Sequence, residues 1–236
     1  MFPVPTQMTD AHSLPDRRTY AIGDIHGCVD KLQRLLVRCQ QDADRAGTSV
    51  AFVFLGDYID RGENSRGVIE TLMALQARMG DAAIFLMGNH EALCLDVIDH
   101  KAEAASWLLN NGDATLRSYG AARPADLPAD HVAWLRALKL SHDDGRRFYV
   151  HAGIDPQKPL DAQDAFDLIW IREPFLSDTR DHGRLVVHGH TPVLSGQPEL
   201  RSNRLNLDTG AVYGRALTAA VFADAQTAPI GFLQAA

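Results

Sequence analysis

Apolar runs and helical stretches alternate along the first third of the chain. Between the runs, apolar residues recur at helical spacing over 30–45 and 66–79, and the two stretches end at Gly47 and Gly80. The run over 50–55 has no polar position, which is typical of a strand buried on both faces. This order predicts a mainly parallel sheet with crossover helices. The predicted strands are 20–22, 50–55 and 82–87.

The middle of the chain is a more polar segment, about 91–138, whose apolar residues favour helices. We interpret it as a helical insertion over a site, within a single domain covering 19–236. Residues 1–18 contain several prolines and are expected to form a disordered lead-in. A hairpin is predicted around Asp144-Gly145. Further strands are predicted over 148–150, 185–187, 205–207, 217–222 and 230–233.

Polar side chains follow the predicted strands at the points where these end. In open α/β sheets, ligands bind at the carboxyl ends of the strands. We therefore expect separate stretches of the chain to deliver side chains to one place. The clusters are Asp24 with His26; Asp57 with Asp60 and Arg61; Asn89 with His90; His151; and His188 with His190.

Composition narrows the function classes. The chain is 46% hydrophobic and 22% charged, which is ordinary for a globular protein, and its net charge is −7. An acidic protein without a basic, aromatic-lined stripe is not expected to bind nucleic acid polymers, so a metallonuclease is disfavoured. A net negative charge does not exclude a locally positive pocket on the surface of the protein.

The expected location is the cytoplasm. The three cysteines, Cys28, Cys39 and Cys94, show no CxxC spacing and cannot all pair, so a disulfide framework is not expected. The first residues lack the apolar core of a signal peptide. No apolar run approaches the roughly 20 residues of a membrane span, so no membrane partner is expected.

The strand-end clusters contain the ligands of a two-metal site. Asp24 and His26 are two residues apart, so both can face one ion, and the carboxylate of Asp57 can bridge to a second. Asn89, His151 and His190 would complete the coordination of the second ion. Oxygen and nitrogen ligands without a thiolate suit Mn²⁺, Fe²⁺ or Zn²⁺. Two such ions, about 3.5–4 Å apart, generate a hydroxide at neutral pH and clamp an in-line displacement.

Each motif alone is a common turn or an ordinary histidine, but five of them occur in order. Together they resemble the signature of the calcineurin-like metallophosphoesterases, and within them the bacterial and phage serine/threonine branch of the phosphoprotein phosphatases. The resemblance spans roughly residues 19–222 and implies a four-layer α/β/β/α sandwich with two metal ions, commonly Mn²⁺. The motifs are GDIHG (23–27), GDYIDRG (56–62), GNHE (88–91), HAG (151–153) and GHTP (189–192).

The resemblance also implies residue roles. Asp24, His26 and Asp57 would hold the first metal, and Asp57, Asn89, His151 and His190 the second. His90 matches the general acid and Asp60 its partner, while Arg61 and Arg172 match phosphate-binding arginines. His188 does not match a ligand, and Pro192 stands where the wider family often has a further histidine.

Two substrate classes remain open. The first is a phosphomonoester, chiefly phosphoserine or phosphothreonine in a protein and secondarily phosphotyrosine, attacked directly by a metal-bridging hydroxide. The second is a symmetrical dinucleoside tetraphosphate. Asp60 and Glu91 match the protein phosphatase pattern, whereas the segment Trp107–Arg117 could shape a nucleotide pocket. A degenerate scaffold is disfavoured because no ligand of the pattern is missing.

Overall fold

The computed structural model describes residues 16–236, so residues 1–15 of the predicted lead-in lie outside the described part of the chain. The first strand begins at Arg17, three residues before the predicted run. The strands are β1 (Arg17–Ile22), β2 (Ser49–Phe54), β3 (Ala83–Phe85), β4 (Ser141–Asp143), β5 (Arg147–Val150), β6 (Leu185–His188), β7 (Glu199–Leu200), β8 (Arg204–Asn206), β9 (Leu217–Ala223) and β10 (Gly231–Ala235).

The strands form two five-stranded sheets, ordered β10-β9-β1-β2-β3 and β4-β5-β6-β8-β7. The expectation of mainly parallel pairing holds for β1, β2 and β3 in one sheet and for β5, β6 and β8 in the other. The remaining pairs are antiparallel. Short connections such as those between β4 and β5 and between β9 and β10 require antiparallel partners, whereas parallel strands need longer crossovers.

Alternate residues of each inner strand face different apolar layers. In β2, Phe52 and Phe54 point toward the helices, while Val53 points toward the second sheet. In β5, Tyr149 faces the first sheet, and Phe148 and Val150 face the opposite side. Both faces of each sheet are therefore covered, which explains the uninterrupted apolar runs in the sequence. The predicted four-layer α/β/β/α sandwich is confirmed.

Helices pack against the outer faces of the sheets. They also form most of the chain segment that connects the first sheet to the second. The predicted helical region over 91–138 contains α3, α4, α5 and α6, and α3 begins slightly earlier, at Asn89. Across residues 16–236, no helix combines the length and the apolar content that crossing a membrane requires. The helices are α1 (Val29–Ala46), α2 (Ser65–Met79), α3 (Asn89–Ile98), α4 (Ala104–Leu108), α5 (Gly112–Tyr119), α6 (Ala129–Arg136) and α7 (Ala165–Trp170).

The contribution of the apolar layer between the sheets to stability can be tested at Leu205, a residue of β8 that is fully buried in this layer. Leu205→Ala removes three buried carbons and leaves a cavity, so we expect the free energy of unfolding to fall by about 2–5 kcal/mol. Denaturant titration measures this change. The matched control is Leu194→Ala, because Leu194 is 91% exposed. An equal loss in both variants would contradict the assignment of Leu205 to the core.

Candidate active site

Asp57 lies at the centre of the polar cluster at the carboxyl ends of the strands. It follows β2 and is shared by two buried groups with metal-ligand spacing, one with His26 and His90 and the other with His151 and His190. Asp57 Oδ2 is 3.3 Å from His26 Nε2, and Asp57 Oδ1 is 3.4 Å from His151 Nε2. The two oxygens of one carboxylate thus face different histidines.

Main-chain carbonyls set the orientation of two of these imidazoles. His26 Nδ1 donates to Ile59 O at 2.8 Å, and His151 Nδ1 donates to Leu55 O at 2.9 Å. Each ring therefore carries its proton on Nδ1 and turns the lone pair of Nε2 toward Asp57. Metal-ligating histidines are commonly held in this way by a hydrogen bond from their other nitrogen.

Asn89 and His190 lie on the same side of Asp57 as His151. Asn89, the first residue of α3, has its Oδ1 3.0 Å from His151 Nε2 and 2.9 Å from His190 Nδ1. Burial, His151 and the more distant Arg172 lower the pKa of His190 to about 3, so its imidazole stays neutral. Neutral imidazole and amide oxygen are both suitable ligands for a borderline divalent ion.

Asp24 belongs to neither of the two groups. Its carboxylate accepts hydrogen bonds from His190 N at 3.2 and 3.1 Å. Burial and the nearby carboxylates of Asp208 and Asp57 raise the pKa of Asp24 well above its ordinary value. Three buried carboxyl groups in one region are unfavourable unless a positive charge compensates them.

His90 and Asp60 form a fully buried pair beside Asp57. His90 Nδ1 donates to Asp60 Oδ2 at 2.7 Å. Burial alone would lower the pKa of His90, but the carboxylates of Asp57 and Asp60 raise it above its ordinary value. Within residues 16–236, no hydrogen-bond partner reaches His90 Nε2, which lies 4.0 Å from Asp57 Oδ2.

The two predicted phosphate-binding arginines differ in their surroundings. Arg61 is partly buried, and its Nη1 donates to His26 Nε2 at 2.6 Å. Arg172 is exposed and follows α7, next to Trp170, whose ring meets the His190 ring edge-on at 6.0 Å. His188, in contrast, is fully buried with its Nε2 3.4 Å from Arg204 Nη1.

Two further buried acidic residues contribute to the site, although the sequence predicts no structural role for them. Glu91 accepts main-chain hydrogen bonds from Gly88, Asp57, Tyr58 and Ile59 at 2.8–3.1 Å, and it thereby fixes the loop that carries Asp57. Asp208 follows β8 and is buried near Asp24. Its position after a predicted strand was a signal that could have identified it, whereas nothing in the local pattern around Glu91 indicates these bonds.

The residues present suit a metal centre. Several carboxylates are buried there together, the Nε2 atoms of His26 and His151 lie near one of them, and the donor set contains only oxygen and nitrogen. Such a set favours Mn²⁺, Fe²⁺ or Zn²⁺ over a thiolate-binding ion. The buried histidines and aspartates are thus positioned for metal binding.

Comparison with known proteins shows which family model and which relatives the chain matches. A family model described as calcineurin-like phosphoesterase matches residues 17–219. A symmetrical bis(5'-nucleosyl)-tetraphosphatase of Dechloromonas aromatica is 36% identical over 141 residues, which cover 59% of this chain but 45% of that protein. Serine/threonine-protein phosphatase 1 of Salmonella typhimurium is 29% identical over 216 residues, 86% of this chain and 91% of that protein. The chain thus spans less than half of the first relative and nearly all of the second.

A solved structure shows the same fold. The crystal structure of a putative diadenosine tetraphosphatase superposes with a TM-score of 0.69 at 24% identity, covering 94% of this chain and 99% of that one. At this level of identity the likeness concerns the fold alone.

The role of Glu91 can be tested with Glu91→Gln. A glutamine has one carbonyl oxygen, so its NH₂ group would face two of the main-chain N–H donors. We expect the free energy of unfolding to fall by about 3 kcal/mol, because two buried main-chain N–H groups lose their acceptor. We also expect less bound Mn²⁺ per chain, measured after dialysis. The control is Glu70→Gln, which alters an exposed pair with Arg66. Unchanged stability of Glu91→Gln would contradict the proposed role.

Proposed function

The chain belongs to the calcineurin-like phosphoesterase family, and we propose that it is a metal-dependent phosphatase acting on phosphoserine and phosphothreonine in proteins. Phosphotyrosine is a secondary substrate in this proposal.

The His90–Asp60 pair carries the proposal. His90 holds its Nδ1 proton against Asp60, and the raised pKa of the imidazole favours a second proton on Nε2, which has no protein partner in residues 16–236. A protonated Nε2 can give that proton to a leaving oxygen. The alkoxide of serine or threonine is strongly basic and needs such a proton, whereas a nucleotide leaves readily as a phosphate anion. A buried acid therefore suits an alkyl phosphomonoester.

The ligand set of the proposed metal pair follows the two sides of Asp57. Asp24, His26 and Asp57 would hold one ion, and Asp57, Asn89, His151 and His190 the other; we propose Mn²⁺ for both. When bound, such ions supply positive charge to the phosphoryl oxygens and activate the attacking water. Asp24 stays oriented by His190 N, and His26 and His151 by main-chain carbonyls.

Arg61 and Arg172 would bind the phosphoryl group. Arg61 lies at the edge of the buried cluster, and Arg172 is exposed on the side of His190. A guanidinium can donate two parallel hydrogen bonds to phosphate oxygens, and it supplies positive charge in a chain whose net charge is −7. Arg61 Nη1 also lies 2.6 Å from His26 Nε2, so the guanidinium reaches the proposed metal ligands.

A symmetrical dinucleoside tetraphosphate is the second candidate substrate. The 36% identity to the D. aromatica tetraphosphatase supports it, although the aligned part is less than half of that protein. The match along 91% of serine/threonine-protein phosphatase 1 supports the first candidate. The inward position of Trp107 and Thr115, both fully buried, does not favour a nucleotide pocket lined by these two side chains.

The substrate can be tested by comparing kcat/KM on a phosphoserine peptide panel and on diadenosine tetraphosphate, with Mn²⁺ present. We expect the peptides to be hydrolysed at least about tenfold more efficiently, because the site would supply the proton that their poor leaving group, a serine alkoxide, needs. Protein stripped with a chelator should lose activity and regain it with Mn²⁺. A preference for the dinucleotide would assign the second function, and inactivity on every phosphate ester and anhydride would refute both.

The acid can be tested with His90→Asn. We expect kcat on a phosphoserine peptide to fall by about 10²–10⁴-fold, the usual contribution of general acid catalysis. Bound metal, measured by mass spectrometry of the dialysed protein, should stay at the wild-type level. Loss of metal in step with activity would instead identify His90 as a ligand, a role that its distance of 4.0 Å from Asp57 makes worth testing.

A further inference from the structure

Two buried side chains from the helical segment contact Asp60. Trp107, in α4, donates from Nε1 to Asp60 Oδ2 at 2.8 Å. Thr115, in α5, donates from Oγ1 to Asp60 Oδ1 at 2.7 Å and also accepts from Asp60 N at 2.9 Å. Both side chains are 0% exposed. Each oxygen of the Asp60 carboxylate is therefore held by a donor from a part of the chain about 50 residues away.

These bonds define how Asp60 can act on His90. A tryptophan N–H can only donate and a carboxylate oxygen can only accept, so the Trp107 Nε1 proton and the Thr115 hydroxyl proton both point to the Asp60 carboxylate. Asp60 Oδ2 then has one remaining direction, which His90 Nδ1 takes at 2.7 Å. The carboxylate cannot rotate without breaking a buried hydrogen bond, which is costly.

The segment between the two side chains is shaped to fit against the same loop. A Cβ at Gly112 would lie 2.3 Å from the ring of Trp107, so glycine is required for the ring to pack there. Asn111 O accepts from Arg61 N at 3.2 Å. Asp60 and Arg61 have positive φ angles of 69° and 65°, a region that non-glycine residues rarely adopt. The contacts from 107–115 thus hold a strained stretch of backbone as well as a carboxylate.

We propose that Trp107 and Thr115 are positioning residues for proton donation, fixing Asp60 so that His90 presents Nε2 to the leaving oxygen. This inference rests on the proposed function, because it assumes that His90 is the acid. The segment that contains α4 and α5 is then part of the catalytic apparatus rather than a cover over it. The contribution of Trp107 and Thr115 to kcat must grow with the basicity of the leaving group, since only a basic leaving group depends on the proton from His90.

The test compares two leaving groups in matched variants. Thr115→Val and Trp107→Phe each remove one donor to Asp60, and Thr115→Ser restores the hydroxyl. Trp134→Phe and Thr71→Val are the controls, since Trp134 Nε1 donates to Gln76 and Thr71 Oγ1 donates within α2. We expect both test variants to lower kcat on a phosphoserine peptide by about tenfold or more, but kcat on p-nitrophenyl phosphate by less than about threefold.

Thr115→Ser should recover most of the activity, and KM and bound metal should stay at the wild-type values. In an Asp60→Asn background, Thr115→Val should add no further loss, because the two residues act through one interaction. Equal losses on both substrates, or equal losses in Trp134→Phe and Thr71→Val, would show that Trp107 and Thr115 only support the fold and would overturn the inference.

An NMR measurement tests this inference independently of the proposed function. In chelator-treated protein, the His90 Nδ1 proton bonded to Asp60 should give a downfield NMR resonance that shifts in Trp107→Phe and Thr115→Val but not in the controls. An unshifted resonance would overturn the inference even in an active phosphatase. Inactivity of the wild type on the phosphoserine peptide would refute the proposed substrate, while the resonance and a comparison of phenyl with p-nitrophenyl phosphate still decide the inference.

Discussion

The geometry of the site depends on the hydrogen bonds that the Glu91 side chain accepts. It accepts four main-chain hydrogen bonds, one from Gly88 before α3 and three from residues 57–59 after β2. These bonds fix the distance between the loops that present Asp57 and Asn89. They also retain Asp57 at a positive φ of 52°, a conformation that an isolated loop would leave. The spacing between the Asp57 carboxylate and the histidines around it depends on this arrangement.

Backbone strain is concentrated at the site. Five of the predicted site residues have positive φ, and each costs roughly 1–3 kcal/mol unless surrounding contacts compensate it. Glycines allow the close approaches that make such contacts possible: a Cβ at Gly62 would lie 1.9 Å from His26 O, and one at Gly189 would lie 2.0 Å from Asp24 Oδ1. The glycines in these motifs therefore allow two loops to touch. The strained residues are His26, Asp57, Asp60, Arg61 and His190.

The sequence predicts the framework of the fold better than the contacts within the site. Apolar runs such as Phe52–Phe54 and Phe148–Val150 identify strands because a strand covered on both faces has no polar position. Strand ends then locate Asp24, Asp57 and His151. The inward direction of Trp107 and Thr115 could not be predicted, since it depends on the path of a segment about 50 residues from Asp60. The four bonds of Glu91 are equally hidden, because their donors are main-chain groups that carry no sequence signal.

The division of the site between the two sheets links its occupancy to the folding of the whole chain. Asp24, His26, Asp57 and Asn89 follow strands of the first sheet, whereas His151 and His190 follow strands of the second. The ligands proposed for one ion all follow strands of the first sheet, whereas the second ion would take ligands from both sheets, so binding of the second ion would couple the docking of one sheet to the other. By mass action, such binding stabilises the assembled form by RT ln(1 + [L]/Kd). The concentration of free metal would then contribute to the stability of the folded chain, independently of any catalytic turnover.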